Sequence, residues 1–404
     1  MHILLIHQAF AALDEPGGTR HHELARYLAS QGNRVTIIAS PISYLTGKAR
    51  SARIPWAERQ LDGDLITIIR AYTYPALHRS FAYRLVSFFS FMKSSFLIGL
   101  GAKDVDLVWG TSPPIFQGLT AWSVARLKGV PFLFEVRDLW PAFAVAVGVL
   151  KNPLLVWLSE RLERFLYKHA DLLVVNSPGF IDHVKSRGAK RVELVPNGTD
   201  TLMFSPNLDG KPFRQQHGLD GKFVALYAGA HGLSNDLGTV LKAAQILRPR
   251  ADIQIVLLGD GKDKPLLQAK AAQAGLGNVL FLPPIAKVDM PAALAAADAC
   301  IAILKPIEMY KTTYPNKVFD YMAAGKPVVL AIDGVIREVV VQAGGGIPIQ
   351  PGDPAALAQA ILQLADDPKA AHQMGLNARS YVETHFDRNE LATNLLVLIN
   401  NLAV

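Results

Sequence analysis

The sequence predicts an α/β protein made of two doubly wound domains with parallel sheets, and three observations carry that reading. The chain has 404 residues, 50% of them hydrophobic, and single hydrophobic cores stop growing near roughly 250 to 300 residues. Apolar runs of strand length alternate with helical patterns along each half. The alternation breaks off in a stretch rich in turn residues and starts again at Phe223.

The first strand is Ile3 to Ile6. A loop with Pro16-Gly17-Gly18 leads to a helical pattern from His22 to Ser30 that ends at Gly32, and Val35 to Ile38 returns as a strand. A strand-helix-strand unit of this kind requires a crossover and a parallel sheet. Further strands are expected at Leu65 to Ile69, Leu107 to Trp109, Phe132 to Phe134 and Leu172 to Val175. Leu194 to Gly221 is the expected hinge, because Pro, Gly, Asn and Asp cluster there. The second Rossmann-like run has strands at Phe223 to Ala228, Ile253 to Leu258, Val279 to Phe281, Cys300 to Ile303, Pro327 to Leu330 and Gly346 to Ile349. The expected domains are therefore residues 1–195 and 215–385. The last helix, near 388–402, repeats Leu391, Leu395, Leu396 and Leu398 at helical spacing and is expected to pack back on the first domain.

The formal net charge is +7, and residues 1–200 carry all of it. Such asymmetry suits an acidic partner of the first half, either a phosphate-bearing acceptor or an anionic membrane surface. Nucleic acid is not the expected partner, since zinc-finger spacing and aromatic RNP-type motifs are missing. A single cysteine, Cys300, forms no intrachain disulfide, and Met1 to His7 lacks the pattern of a secretory signal, so a cytoplasmic location is expected. Phe81 to Leu100 is dense in Phe, Leu, Ile and Met but interrupted by Arg84 and Lys93. That composition opposes a spanning helix and leaves two readings: a helix lying on the bilayer, or a buried helix of the first domain.

Open α/β sheets bind ligands beyond the carboxyl ends of their strands, so loops with glycine at those ends are the candidate site. Gly17 and Gly18 stand before a helix whose free N–H groups could meet an anion, although the strict G-x-G-x-x-G fingerprint of a dinucleotide site is absent. In the second half, Tyr227 to Ser234 holds Gly229 and Gly232. Leu258 to Lys264 holds Gly259 and Gly261, with Lys262 and Lys264 as charge. Each of these loops also reads as an ordinary turn, and its lysines as solvated. The sharpest local signal is Tyr314 to Val329: Pro315 suits a helix start, Lys317 lies near it, and Asp320 follows one turn after Asn316. A cation and a carboxylate three apart share a helix face, so one could hold a diphosphate while the other accepts from ribose hydroxyls. An exposed ion pair of little consequence is the plain alternative.

With these motifs in order along nearly the whole chain, together with Glu135-Val-Arg-Asp-Leu-Trp-Pro141 and Val195 to Asp200, the sequence resembles family 4 glycosyltransferases. The branch it resembles is that of bacterial O-antigen and capsule amino-sugar (L-fucosamine-type) transferases. The resemblance implies a GT-B fold with two Rossmann-like domains facing across a cleft, retention of anomeric configuration, no bound cofactor and no metal. It implies a nucleotide-sugar substrate, UDP-linked, in the second domain, and a glycan or polyprenyl-linked acceptor in the first. By position, Asp320 would bind ribose and Lys317 the diphosphate, both in catalytic roles, with Lys264, Gly229 and Gly232 around the donor and Gly17 and Gly18 against it. Arg20, His21, Arg137 and Asp138 would line the acceptor side. Two departures stand out: the first of two acids common in the family is Thr312 here, with Glu308 as a substitute, and Ala230, His231 and Ser234 occupy a loop that often carries Arg and Lys. Two other classes remain open: a nucleotide-sugar 2-epimerase using His21, His22 or His231, and a non-catalytic sugar-nucleotide-binding subunit.

Overall fold

In a computed structural model, which describes residues 1–44, 46–75 and 81–403, the chain divides into two compact units. The first comprises Met1–Ala12, Gly17–Pro196 and Asn389–Val404; the second comprises Leu13–Pro16 and Asn197–Arg388.

The first unit is built on an eight-stranded sheet. Its strands are β1 (His2–Ile6), β2 (Arg34–Ala39), β3 (Ala57–Asp62), β4 (Ile66–Ala71), β5 (Leu107–Ser112), β6 (Phe132–Val136), β7 (Leu172–Val175) and β8 (Val192–Leu194), in the spatial order β3-β4-β2-β1-β5-β6-β7-β8. Every pairing is parallel except β3 with β4. The inner strands are buried along their whole length, as expected of a parallel sheet covered on both faces. Strands β3 and β8 are not among the expected ones: β8 is a three-residue, part-exposed edge strand, and β3 carries no apolar period. It reads Ala-Glu-Arg-Gln-Leu-Asp and is largely exposed, so no apolar alternation marks it, and its charges suit an edge that must not pair further.

Helices α1 (Arg20–Ser30), α2 (Phe81–Gly101), α3 (Phe116–Lys128), α4 (Ala142–Ala146) and α5 (Pro153–His169) supply the crossovers that flank the site. Helix α5 starts where Asn152 accepts hydrogen bonds from the Leu154 and Leu155 amides, with Pro153 at its first position. Helix α3 stops at Gly129, which adopts a left-handed conformation. The final helix, Arg388–Ala403, buries Leu391, Ala392, Leu395 and Ile399 in the same core as Ile3, Leu24, Val35 and Trp109. Leu396 and Leu398 lie at the margin of that core.

Helix α2 covers Phe81 to Leu100 and has one buried and one exposed face. Ser87, Phe91, Ser94 and Ser95 are buried, whereas Tyr83, Val86, Phe89 and Leu97 are exposed. No described helix is long and apolar enough to cross a membrane.

The second unit has six parallel strands, β9 (Phe223–Ala228), β10 (Ile253–Leu258), β11 (Val279–Leu282), β12 (Ala299–Ile303), β13 (Val328–Ala331) and β14 (Gly346–Pro348), in the order β11-β10-β9-β12-β13-β14. Alternation along β9 feeds two cores. Val224, Leu226 and Ala228 join one side of the sheet, and Ala225 and Tyr227 the other. The order reverses direction beside β9, so the loops after β9 and β10 and the helix Asn316–Ala323 gather at one carboxyl edge.

Candidate active site

In the second unit the main chain turns at Gly229, immediately after β9, with φ of +149°. A β-carbon there would stand 2.6 Å from the Lys317 Nζ, so the glycine lets the backbone lie against the ammonium. Lys317 occupies the first turn of the helix Asn316–Ala323, with Pro315 immediately outside it. Its Nζ donates to the Tyr227 hydroxyl at 2.8 Å and lies 4.0 Å from the centre of the Tyr227 ring. The Tyr227 hydroxyl in turn donates to the Ala230 carbonyl at 2.7 Å. No carboxylate pairs with Lys317 among the described residues, and burial pushes its pKa down to about 7. Tyr321 secures the helix by exchanging hydrogen bonds with the Ala228 amide and carbonyl at 2.9 and 3.0 Å.

The two glycine loops interlock. A β-carbon on Gly259 would collide with the Gly229 carbonyl, and one on Gly261 with the His231 main chain. The His231 amide donates to the Asp260 carbonyl at 2.8 Å, and the Asp263 amide to the His231 carbonyl at 2.9 Å. The His231 ring is buried, neither nitrogen has a partner among the described residues, and burial lowers its pKa to about 4. Gly232 leaves open space on its side-chain face.

Asp320 and Lys317 share one helix but bond to different neighbours. Asp320 is buried and accepts from Lys287 Nζ at 2.6 Å, Thr199 Oγ1 at 2.9 Å and Asn316 Nδ2 at 3.3 Å. Its carboxylate is thus engaged by protein groups on both oxygens rather than turned out as the free acceptor expected from the sequence. Lys264 differs from expectation for a similar reason: its ammonium donates to the Gly259 and Leu282 carbonyls at 2.7 and 2.8 Å, bracing the loop. Glu308 is exposed and pairs with Lys311 at 2.7 Å, while Thr312 donates to the Met309 carbonyl.

In the first unit, Glu135 lies next to last in the buried strand β6 and collects two residues expected at the acceptor. Its carboxylate accepts from Arg20 Nε at 2.9 Å and meets His21 Nε2 at 2.6 Å, and all three side chains are buried. Arg20 also donates to the Val195 and Pro196 carbonyls, both at 2.7 Å. Burial opposes the charge on Glu135, but His21 and Arg20 overcome it and hold its pKa well below the carboxylate range. Burial takes His21 down to about 4 against the pull of Glu135. Arg20 and His21 are therefore core supports here, a placement their polarity and loop position did not signal.

The array continues outward. The His21 ring lies 4.4 Å from that of His7, and His7 Nε2 faces an Arg137 guanidinium nitrogen at 2.9 Å. Arg137 Nε donates to Thr111 Oγ1 at 3.0 Å and the Ser112 carbonyl at 3.2 Å, leaving the side chain half-buried, and Asp138 is exposed beside it. Of the four acceptor candidates, Arg137 and Asp138 reach the surface. Gly17 has φ of +147°, and a β-carbon there would stand 2.9 Å from that of Ala11; Gly18 has open space. The histidines that kept an epimerase open are all buried, His22 against Asp62 at 2.7 Å. Sequence reasoning passed over His7, Tyr227 and Lys287. The first two follow or end a strand at the carboxyl edge, a usable signal, but nothing local marks Lys287.

Two family models match the chain: one described as a glycosyl transferase 4-like domain over residues 17–198, and one as glycosyl transferases group 1 over residues 222–367. The Escherichia coli (strain K12) protein WcaI, named as a colanic acid biosynthesis glycosyl transferase, is 25% identical over 384 residues, covering 91% of this chain and 92% of its own. Among solved structures, sucrose-phosphate synthase from Thermosynechococcus elongatus superposes with a TM-score of 0.80 at 20% identity, over 99% of this chain and 98% of that one. Anabaena HepE, solved with UDP and glucose, gives 0.75 at 18% over the whole of both chains. Those likenesses establish the GT-B fold. With the two matched models together spanning most of both parallel-sheet units, the chain belongs to the group 1, family-4-like glycosyltransferases.

Proposed function

We propose that the enzyme transfers an N-acetylamino sugar, with retention, from a UDP-sugar to a glycan or lipid-linked acceptor in bacterial surface polysaccharide synthesis, working in the cytoplasm. One observation carries the donor half of this reading: the Lys317 ammonium lies desolvated against Gly229, with no carboxylate paired to it among the described residues. A cation in that setting is complementary to an anion brought by a ligand, and a diphosphate supplies it. The UDP in HepE and the polysaccharide pathway in the name of WcaI support the choice of base and product class.

The chemistry follows from where charge develops. Breaking the bond between the anomeric carbon and the diphosphate oxygen puts negative charge on the leaving group and positive charge on the sugar. Lys317 and the loop amides near Gly229 stabilise the former without reorganising. The acceptor hydroxyl oxygen bonds to the anomeric carbon from the same face, and its proton passes to the departing phosphate oxygen. Arg137 and Asp138 orient the acceptor, while Glu135, Arg20 and His21 hold the strand end that presents them. Asp320 serves the ribose by positioning Asn316 and the helix start, or by exchanging its bond to Lys287 for one to the sugar. A thermal-shift panel of nucleoside diphosphates tests the reading: UDP should raise the melting temperature of wild type and lose that effect in Lys317→Ala. Equal shifts in both proteins would reject it.

A further inference from the structure

The His231 imidazole in the second unit is fully buried, and neither Nδ1 nor Nε2 has a hydrogen-bond partner among the described residues. A buried polar ring in that condition has given up its bonds to water without replacing them, a cost that an apolar ring of the same size would remove. The main chain of the same residue is fully engaged. Its amide donates to the Asp260 carbonyl at 2.8 Å, and its carbonyl accepts from the Asp263 amide at 2.9 Å. The backbone of His231 therefore fastens the two glycine loops together, and the ring adds no bond to that fastening.

The surroundings of the ring belong to the donor loops. Its centre lies 6.0 Å from that of Tyr227, which holds the Lys317 ammonium, and 6.2 Å from that of Phe281 on β11. Nε2 faces Gly259, where a β-carbon would stand 3.4 Å from it. Gly259 and Gly261 bracket Asp260 with φ of +146° and +156°. The chain beside the ring on that side thus carries one side chain between two glycines, and such a turn shifts with little repacking.

Charge fixes what the ring can offer. Burial is the largest influence against its protonation, Lys264 and Lys317 oppose it further, and Asp260 favours it, so the ring is neutral at ordinary pH. A neutral imidazole has one N–H donor and one acceptor nitrogen. A diphosphate only accepts, and Lys317 serves it. The complement of His231 is a group that both donates and accepts, and in a nucleoside diphosphate such groups lie on the nucleoside, as ribose hydroxyls or the imide edge of uracil. Asp320 is bonded to Lys287, Thr199 and Asn316, so it has no oxygen to offer the nucleoside until one of those bonds breaks.

We propose that His231 is a specificity residue of the donor site, its ring hydrogen-bonding the nucleoside half of the donor while Lys317 holds the diphosphate. The ring becomes available when the Gly259–Gly261 turn moves off it on binding. This role rests on the UDP-sugar reading given above.

The test is calorimetric titration of wild type, His231→Phe, His231→Gln and Lys317→Ala with UDP, 2′-deoxy-UDP and inorganic pyrophosphate. His231→Phe should bind UDP at least about tenfold more weakly, since buried donors and acceptors lose their partner, and should bind pyrophosphate as wild type does. His231→Gln keeps a donor and an acceptor and should recover a good part of the UDP affinity. Without ligand, His231→Phe should melt at the wild-type temperature or above it, because an apolar ring replaces unpaired nitrogens. The deoxy ligand separates the two sources. A wild-type preference for UDP over 2′-deoxy-UDP that vanishes in His231→Phe puts the ring on the 2′-hydroxyl, whereas equal losses for both ligands put it elsewhere on the nucleoside. UDP binding by His231→Phe equal to wild type would overturn the assignment, and so would equal losses for UDP and pyrophosphate. Should wild type bind no UDP, the donor reading and this role fall together. Should Lys317→Ala bind UDP as wild type does while His231→Phe does not, the diphosphate role of Lys317 fails and that of His231 stands.

Discussion

The Lys317 ammonium lies 4.0 Å from the centre of the Tyr227 ring and donates to its hydroxyl, and among the described residues no carboxylate pairs with it. The ring's negative face and one neutral oxygen replace only part of the hydration lost. Free protein therefore holds this group near pKa 7, and an anion arriving at Gly229 raises it. Turnover at saturating donor should drop by more than about tenfold in Lys317→Ala, the loss of one charged stabiliser of a leaving group. Single-turnover kinetics with saturating donor would measure it, and an unchanged rate constant rejects the role.

The same group predicts a pH dependence. Only the protonated amine attracts diphosphate, and the free protein loses that proton as pH rises through about 7, so donor binding takes up a proton. Affinity should fall as pH climbs above 7, by at most about tenfold per pH unit, until the pKa of the complex is reached. Calorimetric titration with UDP across this range reads the slope. Lys317→Arg, charged throughout, should flatten it.

Stability should move the other way. The folded pKa of Lys317 lies below its unfolded value, so the folded state resists protonation, and the penalty is full below about pH 7 and gone above the unfolded pKa of roughly 10.4. Lys317→Met should raise the melting temperature of ligand-free protein at pH 6 and lose this advantage as pH rises. A variant that melts lower at pH 6 would contradict the desolvation argument.

Asp320 and Lys287 form a buried pair at 2.6 Å, with Lys287 also 4.7 Å from the centre of the Phe204 ring. Removing one partner strands the other, so Lys287→Met should cost about 3 kcal/mol. The double change with Asp320→Asn should recover a good part of that loss. Urea unfolding of the cycle gives the coupling, and simple additivity would show that the two charges stand independently.

The four glycines separate by geometry. Gly229→Ala brings a methyl group into the Lys317 ammonium, and Gly17→Ala brings one into Ala11, each at a φ that disfavours side chains. Each should cost about 1 kcal/mol or more in stability, and Gly229→Ala should weaken UDP binding as well. Gly18→Ala and Gly232→Ala meet open space and should leave melting nearly unchanged. Thermal melts of the four proteins check the order.

Arg20 and Arg137 should part company in function. Arg20 bonds a buried carboxylate and two main-chain carbonyls, so Arg20→Ala should unfold more readily, by about 3 kcal/mol. Arg137→Ala should retain UDP binding and raise the acceptor KM instead. Unfolding curves and initial rates at varied acceptor distinguish the two.

The inner strands and the double α/β plan are legible in the letters alone. Runs such as Ile3 to Ile6 and Ala225 to Leu226 are apolar on both faces, and only a covered parallel sheet accepts that pattern. Polar edges escaped, since β3 carries no apolar period. The sequence also marked Gly229 and Lys317, because a glycine at a strand's end and a cation at a helix's start are local signals. Which charges stay free depends on contacts between segments far apart in the chain. Lys264, Asp320, Arg20 and His21 look equally available as letters, yet Leu282, Lys287 and Glu135 reach them from distant parts of the chain. Burial forces such polar groups to find partners, and sequence distance gives no hint of which partner will be near. Among the described residues Lys317 meets neither acid nor main-chain carbonyl but the Tyr227 hydroxyl, so its charge stays unbalanced.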